Sequence, residues 1–108
     1  MQKEATLNQL GYIPNEALLN QLEKIQKNTN EYEKIEKHIM DLHEHLKVDG
    51  SYVAMSNSKD YFKIKIEAFS QELEEEAHEK IRRFSEKFKI KVEQLKNKKT
   101  YYIIGFEH

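Results

Sequence analysis

The 108-residue chain has the length of one domain, with room for a single core and not for a second independent one. It lacks cysteine, which excludes disulfides, thiolate metal sites and cysteine nucleophiles and leads us to expect a reducing, cytoplasmic compartment; no apolar run approaches the roughly 18 residues of a membrane helix, and the opening MQKEATLNQL has no signal-peptide core. The net charge of −1 is unevenly spread: residues 1–50 carry six Lys against nine acids, residues 51–108 carry twelve Lys and Arg against ten acids, and Lys80 to Lys99 holds nine basic residues against Glu86 and Glu93, the one stretch basic enough to steer a polyanion.

Residues 1–14 read as an irregular segment ending in the turn GYIPNE, where Pro14 and Asn15 sit at a helix start and Glu16 suits its first turn. Apolar residues at Leu18, Ile25, Tyr32, Ile35, Ile39, Leu42 and Leu46 then fit an alternating three-four seam if Gln21 and Asn28 fill two core slots. The stretch KNTNE (27–31) either bends one helix or turns a hairpin, and without Gly or Pro there the expectation is a single, kinked helix from about 15 to 47. At about 1.5 Å per residue it would reach roughly 50 Å, so residues 15–30 should project from the domain formed by 15–108 or pack on another subunit.

Gly50 in VDGS breaks this helix, and SYVAMS and YFKIKIEA follow as two strands joined across NSKD. In the second, Phe62, Ile64, Ile66 and Ala68 share one face and Tyr61, Lys63, Lys65 and Glu67 the other. Ser70 caps the next helix, whose buried stripe is Leu73, Ala77, Ile81, Phe84 and Phe88. The chain alternates again through Ile90 and Val92, turns at KNKK, and finishes as the strand TYYIIGF.

Helix–strand–strand thus occurs twice, and residues follow the elements. Ile39, Leu42 and Leu46 match Ile81, Phe84 and Phe88 at an offset of 42, while Asn57, Tyr61, Phe62 and Ile64 match Asn97, Tyr101, Tyr102 and Ile104 at an offset of 40. Two αββ units about a pseudo-twofold axis predict an α+β fold, a circularly permuted ferredoxin-like four-stranded antiparallel sheet with both helices on one face and a long N-terminal helical extension. Its central strands would be NSKDYFKIKI and NKKTYYIIGF. With Phe62, Ile64, Ile66, Tyr102, Ile104 and Phe106 under the helices, the open face would carry Tyr61, Lys63, Lys65, Tyr101 and Ile103 as a partner-binding patch.

That patch and the projecting helix predict a non-enzymatic protein–protein interaction module, most simply a homodimer. RNA or single-stranded nucleic acid is the alternative partner, through Tyr61, Tyr101, Lys63, Lys65 and the basic 80–99 segment, although neither strand has the glycine-containing aromatic signature of RNA-binding domains of this class. His38, Asp41 and His45 span two helical turns, too far for one ion, so no metal site is assigned and no cofactor is expected. No phosphate loop, nucleophile elbow or isolated acid–base pair nominates an enzyme. At the level of architecture, a helix followed by two αββ units over 15–106 resembles the soluble domains of assembly-platform proteins of type IV pilus and type II secretion systems. The resemblance implies pairing through such domains and an N-terminal coiled coil beside a membrane anchor, which this sequence does not show.

Overall fold

The computed structural model describes residues 2–107. Among them the chain forms α1 (Lys3–Gln9), α2 (Glu16–Asn28), α3 (Tyr32–Lys47), β1 (Tyr52–Met55), β2 (Phe62–Lys65), α4 (Gln71–Phe88), β3 (Ile90–Gln94) and β4 (Thr100–Phe106). This is an α+β fold with one four-stranded antiparallel sheet in the order β1-β2-β4-β3, so the second strand of each helix–strand–strand succession is central.

The boundary signals act through identifiable bonds. Asn15 accepts the Leu18 N–H at 2.9 Å and Ser70 accepts that of Leu73 at 3.2 Å, capping α2 and α4. Gly50, at φ 85°, closes α3 while the Ser51 N–H reaches back to the Leu46 carbonyl at 3.0 Å. Residues 3–9, expected to be irregular, are helical. They bury Thr6 and Leu7, and Gly11 at φ 94° ends the helix with the Tyr12 N–H on the Leu7 carbonyl at 2.9 Å.

The single helix expected over 15–47 is broken, and its first half does not project. α2 stops at Asn28, Thr29 Oγ1 donates to the Ile25 carbonyl at 2.7 Å, and Glu31 turns left-handed at φ 48° before α3 begins. The physical reason lies in side chains that bond better outside the helix. Asn28 Nδ2 donates to the Asp60 carbonyl at 2.9 Å, and Asn30 exchanges bonds with Phe106, its Nδ2 on the Phe106 carbonyl at 2.7 Å and its own carbonyl under the Phe106 N–H at 2.9 Å. Gly105 makes this approach possible, since a Cβ there would lie 2.5 Å from the Asn30 nitrogen and its φ is 145°. Leu22 and Ile25 of α2 are fully buried in the common core, and the molecule measures 38 × 32 × 24 Å.

The face assignment of the last strand is corrected by register. Phe62 stands opposite Ile103 and Ile64 opposite Tyr101, and directly opposed residues share a face. Central-strand positions that share a face therefore sit an odd number apart, 41 for Phe62 and Ile103, whereas the even offset of 40 turns every side chain over. Tyr101 and Ile103 lie under the helices, and Tyr102 and Ile104 lie on the open side. Phe106 returns to the helix side because Lys91 pairs with Gly105 but Val92 with Ile103, leaving Ile104 as a bulge. Val53, Met55, Phe62, Ile64 and Ile103 meet Ile39, Leu46, Ile81 and Phe84 in one core.

At one edge of the sheet, the outward N–H groups of β1 and the carbonyl just past its end are taken by side chains. His43 Nδ1 accepts the Val53 N–H and the Tyr12 hydroxyl accepts the Met55 N–H, each at 3.0 Å, and Gln21 Nε2 donates to the Ser56 carbonyl at 3.0 Å. Helix α4 is tied to the end of α3 through Asp49. This carboxylate is fully buried just past the C-terminus of α3, where the helix dipole opposes it, and the Lys80 ammonium from α4 meets it at 2.9 Å.

Candidate functional site: the open sheet face and its outer edge

Strand alternation brings Tyr52 and Ala54 of β1, Tyr61, Lys63 and Lys65 of β2 and its approach, and Tyr102 and Ile104 of β4 onto the uncovered side, all half-buried. Lys91 and Glu93 of β3 extend this surface and are exposed. The Tyr61 and Tyr102 rings stand 5.9 Å apart, tilted by 40°. Two of the hydroxyls are held in place, Tyr52 donating to Glu67 Oε1 at 2.8 Å and Tyr102 sharing a bond with Ser58 at 3.2 Å.

Electrostatics divides the tyrosines. The Glu67 carboxylate raises the Tyr52 phenol above its ordinary value, while hydrogen bonds from Ser58 and Ser56, joined by the charges of Lys59 and Lys63, lower that of Tyr102. Lys59, Lys63, Lys65, Lys91 and Glu93 enter no ion pair among the described residues. The centre of the face is therefore aromatic and aliphatic, framed by uncompensated ammonium groups.

Of the residues expected on this surface, Tyr61, Lys63 and Lys65 are there. Tyr101 and Ile103 are not: the Tyr101 hydroxyl bonds His78 Nδ1 of α4 at 2.6 Å, its phenol is raised by burial, and Ile103 is 0% exposed. Tyr52, Tyr102 and Ile104 complete the face instead. The signal that could have found Tyr102 and Ile104 is the requirement for an odd offset between antiparallel central strands.

Other groups singled out in the sequence have structural employment. His38 lies flat on Phe88, ring centroids 3.6 Å apart at 12°, and no three His, Asp or Glu side chains among the described residues are grouped to hold a metal ion. The basic 80–99 stretch is partly neutralised within the chain: Arg82 is paired with Glu79 and Glu86, Arg83 with Glu79, Lys80 with Asp49, and Lys99 with Glu74. The most exposed large apolar side chains, Ile13, Val48 and Phe69, sit in connections and helix ends rather than on the sheet. No helix among the described residues is long and apolar enough to cross a membrane.

No protein-family model matches the chain, and neither the curated proteins nor the solved structures include a match to it.

Proposed function

We propose that this protein is a non-enzymatic interaction module that docks a protein partner on its open sheet face. The observation carrying this reading is the arrangement of Tyr61 at the start of β2 with Tyr102 and Ile104 of β4, uncovered and bordered by Lys63 and Lys65, which have no ion-pair partner among the described residues. Half-buried aromatic and aliphatic groups with oriented hydroxyls are suited to a protein surface, and the lysines favour a partner with acidic residues at the matching rim. The same lysines disfavour a second copy stacked face to face, which would bring like charges together around the axis. The strand order fits a circularly permuted ferredoxin-like sheet made of two αββ units, an arrangement that leaves one face free for such docking. With α2 folded back, the seam expected to pair as a coiled coil is spent inside the chain, which weighs against the assembly-platform reading.

Single-stranded nucleic acid is the second reading, favoured by the three tyrosines beside lysines on a bare sheet. Its rings are largely packed by their neighbours, leaving limited area for stacked bases. Tyr102→Asp and Ile104→Asp should abolish cross-linking to the protein partners that the wild-type chain captures while leaving the thermal melt nearly unchanged. Ile103→Asp, one residue away, should unfold the protein. Capture that survives both open-face substitutions would overturn the docking reading. Tight, salt-dependent binding of a fluorescent single-stranded oligonucleotide, lost in the same two variants, would establish the nucleic-acid reading in its place.

A further inference from the structure

The two sheet edges are not equivalent, and the outer edge of β3 has a geometry that matches itself. The Glu107 N–H donates to the Lys89 carbonyl at 2.7 Å and the Leu95 N–H to that of Thr100 at 2.8 Å. These bonds flank the pairs Ile90–Phe106 and Gln94–Tyr101, so neither pair bonds itself directly, and Ile90 and Gln94 turn their N–H and C=O away from β4. Val92, midway between them, does the same. Ser85 Oγ caps the Ile90 carbonyl at 2.7 Å, and no other hydrogen bond among the described residues reaches these outward groups. Lys91 and Glu93 flank Val92 on the open face, both exposed and without an ionic partner among the described residues.

We propose that the protein dimerises along β3, a second copy pairing antiparallel about a twofold axis at Val92. In that register Val92 faces Val92 of the second copy, and the two exchange N–H···O=C bonds. Ile90 faces Gln94 of the second copy and exchanges bonds in the same way, the Ile90 carbonyl still having a free lone pair. Lys91 falls opposite Glu93 of the second copy, and Glu93 opposite its Lys91, giving two cross-strand ion pairs in the close, non-bonded positions of the ladder. A strand whose register satisfies both its backbone and its charges against itself fits an isologous contact. The sheet would then run through eight strands, with two copies of the open face on one side. This proposal does not depend on what the open face binds.

Light scattering on the full chain over a concentration series should show a dimer that dissociates on dilution. Lys91→Glu or Glu93→Lys, which places like charges opposite each other, should weaken it at least tenfold. The double swap Lys91→Glu with Glu93→Lys should restore it to within about threefold, a rescue that a loss of folding would not produce. Val92→Pro, which removes an outward N–H without touching the β4 ladder, should give a folded monomer, and Ile104→Asp should leave the dimer intact. Amide exchange at Val92 and Gln94 should be slow in the dimer and fast on dilution. A monomer at millimolar concentration, or a dimer indifferent to the single charge swaps, would overturn the proposal. So would a dimer lost with Ile104→Asp, since that would place the contact on the open face.

Discussion

β1 and β3 are the outer strands of one sheet, and the chain treats their edges in opposite ways. The β1 edge is guarded by Tyr12 of the α1–α2 connection, Gln21 of α2 and His43 of α3, whereas among the described residues the β3 edge has only Ser85 on the Ile90 carbonyl. An unpaired edge invites another strand, so such guards matter. The α1–α2 pair and its connection, together with His43 of α3, thus close the β1 edge and leave that of β3 open.

The sharpest way to break this contrast is to dislodge the guard. Leu22→Asp places an unpaired carboxylate in a site that is 0% exposed and should cost at least about 4 kcal/mol, read as loss of the cooperative thermal transition. Retention of the full melting temperature would show that α2 is not integral to the fold. Next comes Gly105→Val. Its Cβ would press on Asn30 and hold a β-branched residue at φ 145°, for an expected loss of about 3 kcal/mol in urea unfolding. A variant as stable as wild type would mean that the 30–105 contact carries no weight.

Tyr12→Phe is the milder test, removing only the acceptor of the Met55 N–H. It should cost about 1–2 kcal/mol and speed amide exchange at Met55 without altering exchange in β3. The smallest effect is one of pH. His43 can accept the Val53 N–H only while Nδ1 is unprotonated, and burial foremost, helped by the Lys47 charge, holds the imidazole below its ordinary value of 6.5. Glu44 and the Gln9 backbone act in the opposite sense and do not reverse the shift. Because the unfolded chain takes up the proton first, this contribution to stability is fully present above pH 6.5 and is lost as pH falls from there through the folded value. Unfolding curves between pH 7.5 and pH 5 should show the decline, and His43→Gln should flatten it; an unchanged slope in that variant would assign the proton uptake elsewhere.

Much of this architecture was legible because local signals and tertiary need agree. Asn15, Gly50 and Ser70 mark boundaries through their own side chains or backbone freedom, and the alternation in YFKIKI fixes which residues of β2 face the core. Two features were not legible, for different reasons. The helix break at Thr29–Glu31 contains neither Gly nor Pro, and its cause is a set of bonds to residues 60 and 106, remote in sequence. The face of β4 was hidden because TYYIIGF is apolar on both sides, so its pattern carries no parity. Only the register against Phe62 and Ile64, with the bulge at Ile104, decides which tyrosine is core and which is surface.

The Asn30–Gly105 contact also joins the two ends of the chain's long-range order. Residues 30 and 105 are 75 positions apart, and the bonds of Asn30 to Phe106 are the part of the α2–α3 break that requires β4, whereas those of Asn28 to Asp60 and of Thr29 to Ile25 do not. β4 thus does two things at once, filling the centre of the sheet and holding Asn30 in the turn between α2 and α3. The strand therefore fixes that turn from a place far along the chain, so that a substitution at Gly105 is felt at Asn30.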